Sequence, residues 1–342
     1  MKKDILAYTY EELQQEMAQI GQPKFRGRQI YEWLHVKLAD DFERMTNLPK
    51  NLREILAERY LITTLETAKR QESKEDGTNK FLFGLSDDNM IESVLMRYHH
   101  GNSVCISSQA GCRMGCKFCA SAIGGLVRNL SVSEMLGQVY QIQRITGERV
   151  ANVVIMGTGE PLDNYENFVQ FIRMLSDEHG LNISQRNITA STCGIVPKIK
   201  ELAEEKLQIT LALSLHGATQ EKRAGLMPVA NKYPLVEVLA ACDEYFAKTG
   251  RRVTYEYSLV QGVNDTQADA DELVKLLKDR NCHLNLILVN PIAEEDFQRP
   301  SRKNALNFKN KLEKSGINVT IRREMGADID GACGQLRRRY MP

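Results

Sequence analysis

The chain has 342 residues, 42% of them apolar and 26% charged, with a formal net charge of +1. That composition supplies a core for one large domain or two and excludes a disordered or collagen-like chain, while a near-zero net charge leaves open a local basic face for RNA. No apolar run approaches the roughly 20 residues that span a bilayer, and the opening MKKDILAYTYEELQQEM turns polar too early for a secretory leader, so the expectation is a cytoplasmic protein with no membrane partner.

In chain order, the first sixty residues read as helical. Tyr10 to Ile20 is amphipathic, Arg28 to Leu38 carries apolar residues at helical spacing, and Asn51 to Tyr60 follows a Leu48-Pro49 turn signal. Residues 61–100 read as a linker with a β-hairpin. NKFLFGL and MIESVLMRY flank the polar turn Ser86-Asp87-Asp88-Asn89. From residue 101 the pattern alternates. The strand-like runs are VCISS (104–108), NVVIMG (152–157), NITAST (187–192), ITLALSL (209–215), VTYEYSL (253–259) and LNLILV (284–289). Helical stretches at 131–147, 164–178, 196–206, 234–249 and 266–280 separate them, and a last one at 301–316 leads to INVTIR (317–322). Strand–helix alternation predicts parallel β/α units. Six are too few for a closed eight-fold barrel. The expected fold is therefore α/β: a partial (β/α)6 barrel over 101–325, a helical accessory domain over 1–60, and a tail over 326–342.

Eight cysteines occupy positions 105, 112, 116, 119, 193, 242, 282 and 333. In a chain without an export signal, three within eight residues point to metal binding or chemistry rather than to disulfide staples. They form C-x3-C-x2-C, Gly111-Cys112-Arg113-Met114-Gly115-Cys116-Lys117-Phe118-Cys119. Three thiolates on a short loop can each hold one iron of a cubane and leave the fourth iron open. A structural zinc needs four ligands, and no His or fourth Cys stands at such spacing. With its aromatic before the last cysteine, the motif resembles that of the radical S-adenosylmethionine (SAM) superfamily, over residues 101 to about 325. The resemblance implies a [4Fe–4S] cluster on Cys112, Cys116 and Cys119, with SAM bound to the open iron.

Further candidates lie at strand ends. Gly157-Thr158-Gly159-Glu160-Pro161 ends the second strand. It is either a plain tight turn or a loop that lets backbone approach a ligand, and it resembles the superfamily's GGEP motif, which holds the SAM amino group. Ser191, Ser214-Leu215-His216 and Asn290 end other strands. A lone histidine such as His216 is more often a structural hydrogen-bond partner. Cys193, Cys242 and Cys282 read as small buried hydrophobes. Cys105 and Cys333 read either that way or as reactive thiols, and the small-residue tail around Cys333 reads as a mobile, accessible loop.

The stretches ISSQAGCRMGCKFCA, VVIMGTGEPLDNY, ALSLHG, LMPVA and VTIRREMGADIDGACGQL, with FRGRQIYEWL and MTNLPKNLRE, together resemble the RlmN/Cfr family of RNA adenosine methyltransferases over nearly the whole chain. The resemblance implies methylation of adenine C2 in 23S rRNA, and in tRNA, with two SAM molecules per turnover. Cys333 would first be methylated by one SAM. The second SAM would be cleaved to a radical that activates that methyl group for attack on the base. Cys105 would resolve the resulting covalent protein–RNA adduct, leaving a Cys105–Cys333 disulfide to be reduced. Glu92 would accept a proton, although by itself it reads as an exposed strand carboxylate. Gly159, Glu160, Ser191, Ser214, Leu215, His216 and Asn290 would contact SAM. A reducing partner such as flavodoxin and a monomeric state are further expectations. Pro161 favours the RlmN type over the C8-methylating Cfr type, which tends to carry Ala there. Lys24, Arg26, Arg28, Arg322, Arg323 and Arg337 to Arg339 are either phosphate contacts or ordinary solvated charges. Two other readings stay open: a radical SAM enzyme with a non-RNA substrate, which needs neither Cys105 nor Cys333, and a non-catalytic RNA-binding protein with a structural metal.

Overall fold

The computed structural model describes every residue except Met1, Ala293, Cys333, Arg337, Arg338, Met341 and Pro342, with backbone alone at Arg339 and Tyr340. Three helices open the chain: α1 (Tyr10–Gln19), α2 (Phe25–His35) and α3 (Lys50–Arg59). Thr9 and Glu12 form a reciprocal capping box that starts α1. The helices bury Leu13, Met17, Ile30, Leu34, Leu52 and Leu56 in the same continuous core as the barrel. Each such side chain contributes about 1.5–3 kcal/mol. Two polar contacts fix the angle of docking. Tyr31 Oη donates to Asp177 Oδ2 at 2.8 Å, and His35 Nδ1 lies 2.8 Å from Tyr140 Oη.

His35 is fully buried, and desolvation pulls its pKa down to about 3. Its folded pKa therefore lies below the ordinary value of about 6.5. Between those values the unfolded chain binds more protons, so stability falls as pH drops. His35→Gln is expected to flatten this loss by up to about 1.4 kcal/mol per pH unit, read from urea melts between pH 4 and pH 7. An unchanged slope would mean that His35 takes up its proton over the same pH range in the folded and the unfolded chain.

Besides Arg339–Tyr340, which pairs antiparallel with Met90 and Asn89, the main sheet contains ten strands in one monotonic path. They are β1 (Glu66–Glu72), β2 (Asn79–Gly84), β3 (Asn89–Tyr98), β4 (Gly101–Ile106), β5 (Val150–Ile155), β6 (Ile188–Thr192), β7 (Thr210–Ser214), β8 (Val253–Leu259), β9 (Cys282–Leu288) and β10 (Val319–Ile321). Strands β1 to β4 pair antiparallel, and β4 to β10 pair parallel. The path is open, as a partial barrel requires. The helices α4 (Val132–Thr146), α5 (Tyr165–Leu175), α6 (Val196–Glu204), α7 (Gln220–Leu226), α8 (Leu235–Thr249), α9 (Gln267–Leu277) and α10 (Arg302–Lys314) fill the crossovers.

Two elements escape the sequence pattern. Strand β1, ETAKRQE, is a charged edge strand bonded on one side only. Helix α7, capped by Thr219, has seven residues, too few to show a helical period. Within the barrel the two-residue alternation of strands separates two environments. Outward residues such as Leu211, Leu213, Tyr255, Tyr257, Leu284 and Leu286 join the core under the helices. Inward positions carry Ser214, Glu256, Ser258 and Asn285. The barrel interior is thus polar and suited to a ligand.

Candidate active site at the barrel mouth

The cysteine loop lies between the two strands of a short hairpin, Gln109–Gly111 and Leu126–Asn129. Gly111 has φ +82°, and a Cβ there would stand 2.0 Å from Gly125 O, so only glycine brings Cys112 into place. The loop rests on the turn after α7: Lys117 N donates to Leu226 O at 3.0 Å, and Met114, Cys116 and Phe118 pack against Leu226 and Met227. Arg113 pairs with Asp163. Burial pushes the Cys112 thiol up to about 12 and that of Cys116 well above its ordinary value. Cluster assembly must therefore displace their protons. The donor set fits a cluster: three thiols spaced along one loop can each take a separate iron.

These thiols line a cleft of about 870 Å3, together with Glu160, Ser191, Ser214, His216 and Asn290. Glu160 is buried, and both its oxygens accept backbone amides: Oε1 from Leu162 at 3.0 Å and Oε2 from Cys193 at 2.7 Å. Burial raises its pKa against the opposing pull of those bonds. Gly159 and Leu215 are not in the cleft wall. Gly159, at φ +113°, lets the loop lie against Ser108 and Gln109, and the Leu215 side chain belongs to the core. His216 also has positive φ, +52°. Desolvation lowers its pKa to about 3. Its Nδ1 therefore accepts the Ser258 amide at 2.9 Å, while its ring meets Phe118 edge-on at 4.6 Å between centroids. These contacts fix the imidazole in the cleft wall and support the aromatic of the cysteine motif.

A second cavity of about 600 Å3 adjoins the first, sharing Met156, Ile287, Asn290 and Arg322. Cys105 is in its wall, on β4 between Val94 of β3 and Val154 of β5. Val94, Met96, Cys105, Met325 and Leu336 form a separate small apolar cluster there. Glu92 shares the Val94 face of β3, whereas Ser93 faces Gln138 of α4. Its expected exposure is wrong: the side chain is 2% exposed and lies 3.5 Å from Lys80 Nζ, itself 3% exposed. Both reach the interior because Lys80 stands opposite Val94, and Leu82 opposite Glu92, in the hairpin register.

Cys333 lies outside the described residues, as do Arg337 and Arg338. The described tail around them is packed rather than loose. Ala332 lines the Cys105 cavity, and Gly334 lines the cysteine-triad cleft. Gly334 O accepts the Ala120 amide at 2.8 Å, Leu336 O accepts Ser121 Oγ at 2.7 Å, and Asp330 O accepts Lys80 Nζ at 3.2 Å. Arg322 and Arg323 line the Cys105 cavity; Lys24, Arg26 and Arg28 touch neither cavity. Cys242 and Cys282 are core residues, as expected. Cys193 is buried too, as expected, in a small apolar cluster with Leu226 and Met227, and it also borders the triad cleft.

Sequence reasoning misses Glu256, Ser258 and Met156, all in the cleft wall. Glu256 is buried, with Oε1 accepting from Asn285 Nδ2 at 2.9 Å and Oε2 without a hydrogen-bond partner among the described residues. A charge in mid-strand between Tyr255 and Tyr257 is the available signal, since such a residue must face a polar interior.

The Radical SAM superfamily matches residues 106–277, and the ribosomal RNA large subunit methyltransferase N-terminal domain matches residues 3–62. Proteins called probable dual-specificity RNA methyltransferase RlmN are 66% identical in Lachnoclostridium phytofermentans, covering 99% of this chain and 95% of that one, and 61% identical in Lachnospira eligens, covering 99% and 97%. A crystal structure of a radical SAM methyltransferase from Sphaerobacter thermophilus superposes with a TM-score of 0.94 at 43% identity, covering 98% of this chain and 99% of that one. With full-length identity at this level, the chain belongs to the RlmN family of the radical SAM superfamily.

Proposed function

We propose that this enzyme methylates C2 of adenosine in 23S rRNA, and in tRNA, through a methylated Cys333. One observation carries the reading: two adjoining cavities share a wall, with the cysteine triad in one, Cys105 in the other, and the sequence neighbours of Cys333 lining one each. C2 of adenine is electron-poor, so direct polar transfer from SAM does not reach it. A thiol that first carries the methyl group, and a second thiol that releases the adduct, answer that difficulty. When bound, the cluster supplies the electron that cleaves SAM.

Cys112, Cys116 and Cys119 hold the cluster in this reading. Glu160 and the strand-end residues Ser191, Ser214, His216 and Asn290 orient SAM, and Gly159 and Leu215 approach it through their loop backbones. Glu92, kept close to Lys80 in a buried pair, takes the proton lost from C2. Cys105 attacks the sulfur of Cys333, the bond from that sulfur to the methylene on the base breaks, the methylene takes up a proton to become the methyl group, and the Cys105–Cys333 disulfide left behind is reduced by an external reductant such as flavodoxin. Arg322 and Arg323 at the second cavity neutralise phosphates flanking the adenosine. The enzyme works as a monomer in the cytoplasm; no helix among the described residues is long and apolar enough to cross a membrane.

The test is anaerobic reconstitution with iron and sulfide, then SAM, reductant and protein-free 23S rRNA, with modified nucleosides identified by mass spectrometry. 2-Methyladenosine is expected. 8-Methyladenosine would make the enzyme Cfr-like, and 5′-deoxyadenosine without any methylated adenosine would remove RNA as the substrate.

Gly159→Ala tests the SAM side. The added Cβ would stand 2.7 Å from Gln109 Cβ and Ser108 Oγ, at a φ that disfavours any side chain. Affinity for SAM, read by calorimetry on reconstituted enzyme, is expected to fall at least about 10-fold, or ~1.4 kcal/mol. Undiminished affinity would detach this loop from SAM.

A further inference from the structure

Arg223, on α7, is completely buried, with 0% of its side chain exposed. Its Nη2 donates to the backbone oxygens of Cys193 at 2.6 Å and Ser214 at 3.3 Å. Nε and Nη1 have no partner, so no carboxylate bonds to any of its nitrogens among the described residues. A guanidinium does not shed its proton in a protein. A buried charge held only by neutral dipoles costs far more than its packing returns, so a negative group is missing from this account.

The surroundings say where that group sits. Helix α7 ends under the cysteine loop, with Leu226 O bonded to Lys117 N, and Leu226 and Met227 packed on Cys116 and Phe118. The two carbonyls that hold Arg223 belong to Cys193 and Ser214, both in the wall of the triad cleft. The side chains near enough to stabilise the guanidinium, once ionised to thiolates, are those of Cys193, Cys116 and Cys242, and Cys116 belongs to the triad. A cubane with two positive charges and three thiolates carries one net negative charge, and one-electron reduction adds another.

We propose that Arg223 is the buried counter-charge of the cluster, a positioning residue that stabilises the thiolate-bound cubane and favours its reduced form most. This rests on the reading that Cys112, Cys116 and Cys119 hold that cluster. Because attraction to the guanidinium grows as the cluster gains an electron, Arg223 raises the reduction potential. The SAM-cleaving electron then enters more readily. Arg223 also ties the strand ends of β6 and β7 together, and that role alone would affect folding without affecting the potential.

The test uses full-length protein without RNA or turnover. Wild type, Arg223→Gln, Arg223→Met and Arg223→Lys are reconstituted anaerobically. Iron and sulfide per chain, the midpoint potential from an EPR-monitored titration, and the melting temperature before and after loading are measured. Arg223→Gln keeps a donor for the Cys193 carbonyl and removes the charge, so it reports even if Arg223→Met does not fold. Both neutral variants are expected to shift the midpoint to more negative potential and to gain less melting temperature on loading than wild type. Arg223→Lys restores part of both. An unmoved potential and an unchanged gain, in variants that carry the cluster, overturn the proposal and leave Arg223 as a strand staple. A wild-type chain that takes up no cluster overturns this proposal and the triad reading together.

Discussion

Cys116→Ala is expected to give a folded chain that takes up no intact cluster and cleaves no SAM. Cys116 packs in a small satellite group with Leu226, Met227 and Phe118, outside the main core. Removing one sulfur there costs about 1–2 kcal/mol of stability, which a core extending through helices and barrel tolerates. The chemical cost is far larger. Two remaining thiols leave a second iron without a protein ligand, and the Gly111 turn and the Lys117–Leu226 bond then support a loop with nothing to hold. Iron and sulfide content, the broad absorption near 400 nm, and 5′-deoxyadenosine release check the outcome, with a thermal melt to show that the fold survives. Cys112→Ala and Cys119→Ala should behave alike. Wild-type iron content with undiminished SAM cleavage in any of the three would move the cluster away from this loop.

Cys105→Ala is expected to do something different: keep the cluster, keep SAM cleavage, and accumulate RNA covalently bound to protein. Cys105 sits on β4, and the Ala side chain keeps the strand pairing with Val94 and Val154. The substitution removes only the sulfur from the cavity wall. If Cys333 forms the adduct and Cys105 releases it, the adduct has no exit. Product formation should fall at least about 100-fold, ~2.7 kcal/mol in the barrier. A slow-migrating band should persist on a denaturing gel and disappear with ribonuclease. Cys333→Ala should lose product without that band. Normal turnover in either variant would end the two-thiol mechanism.

These outcomes depend on features of unequal visibility in the sequence. The cysteine motif is legible because its three ligands fall within eight residues, and a loop that short must bring them near one another. Barrel topology is legible too, since apolar strand-like runs alternating with helical ones leave parallel winding as the economical solution. Strand ends are therefore visible, and with them Glu160, Ser191, Ser214 and Asn290. Strand β1 and helix α7 are not, because a charged edge strand and a seven-residue helix carry no hydrophobic period.

By itself, then, the sequence determined local chemistry and strand order, which depend on neighbours along the chain. Only the tertiary structure decided which face each residue shows and what it meets from far away. Glu92 looks solvent-exposed until the β2–β3 register turns it inward beside Lys80. Glu256 looks out of place in a strand until β8 closes onto the cleft, and Arg223 carries no signal of burial along the chain until α7 packs it beneath the cysteine loop. Shifting a strand by one residue reverses every side chain on it. Burial of an isolated polar group is thus set by packing across the sheet, a long-range property that no local spacing encodes.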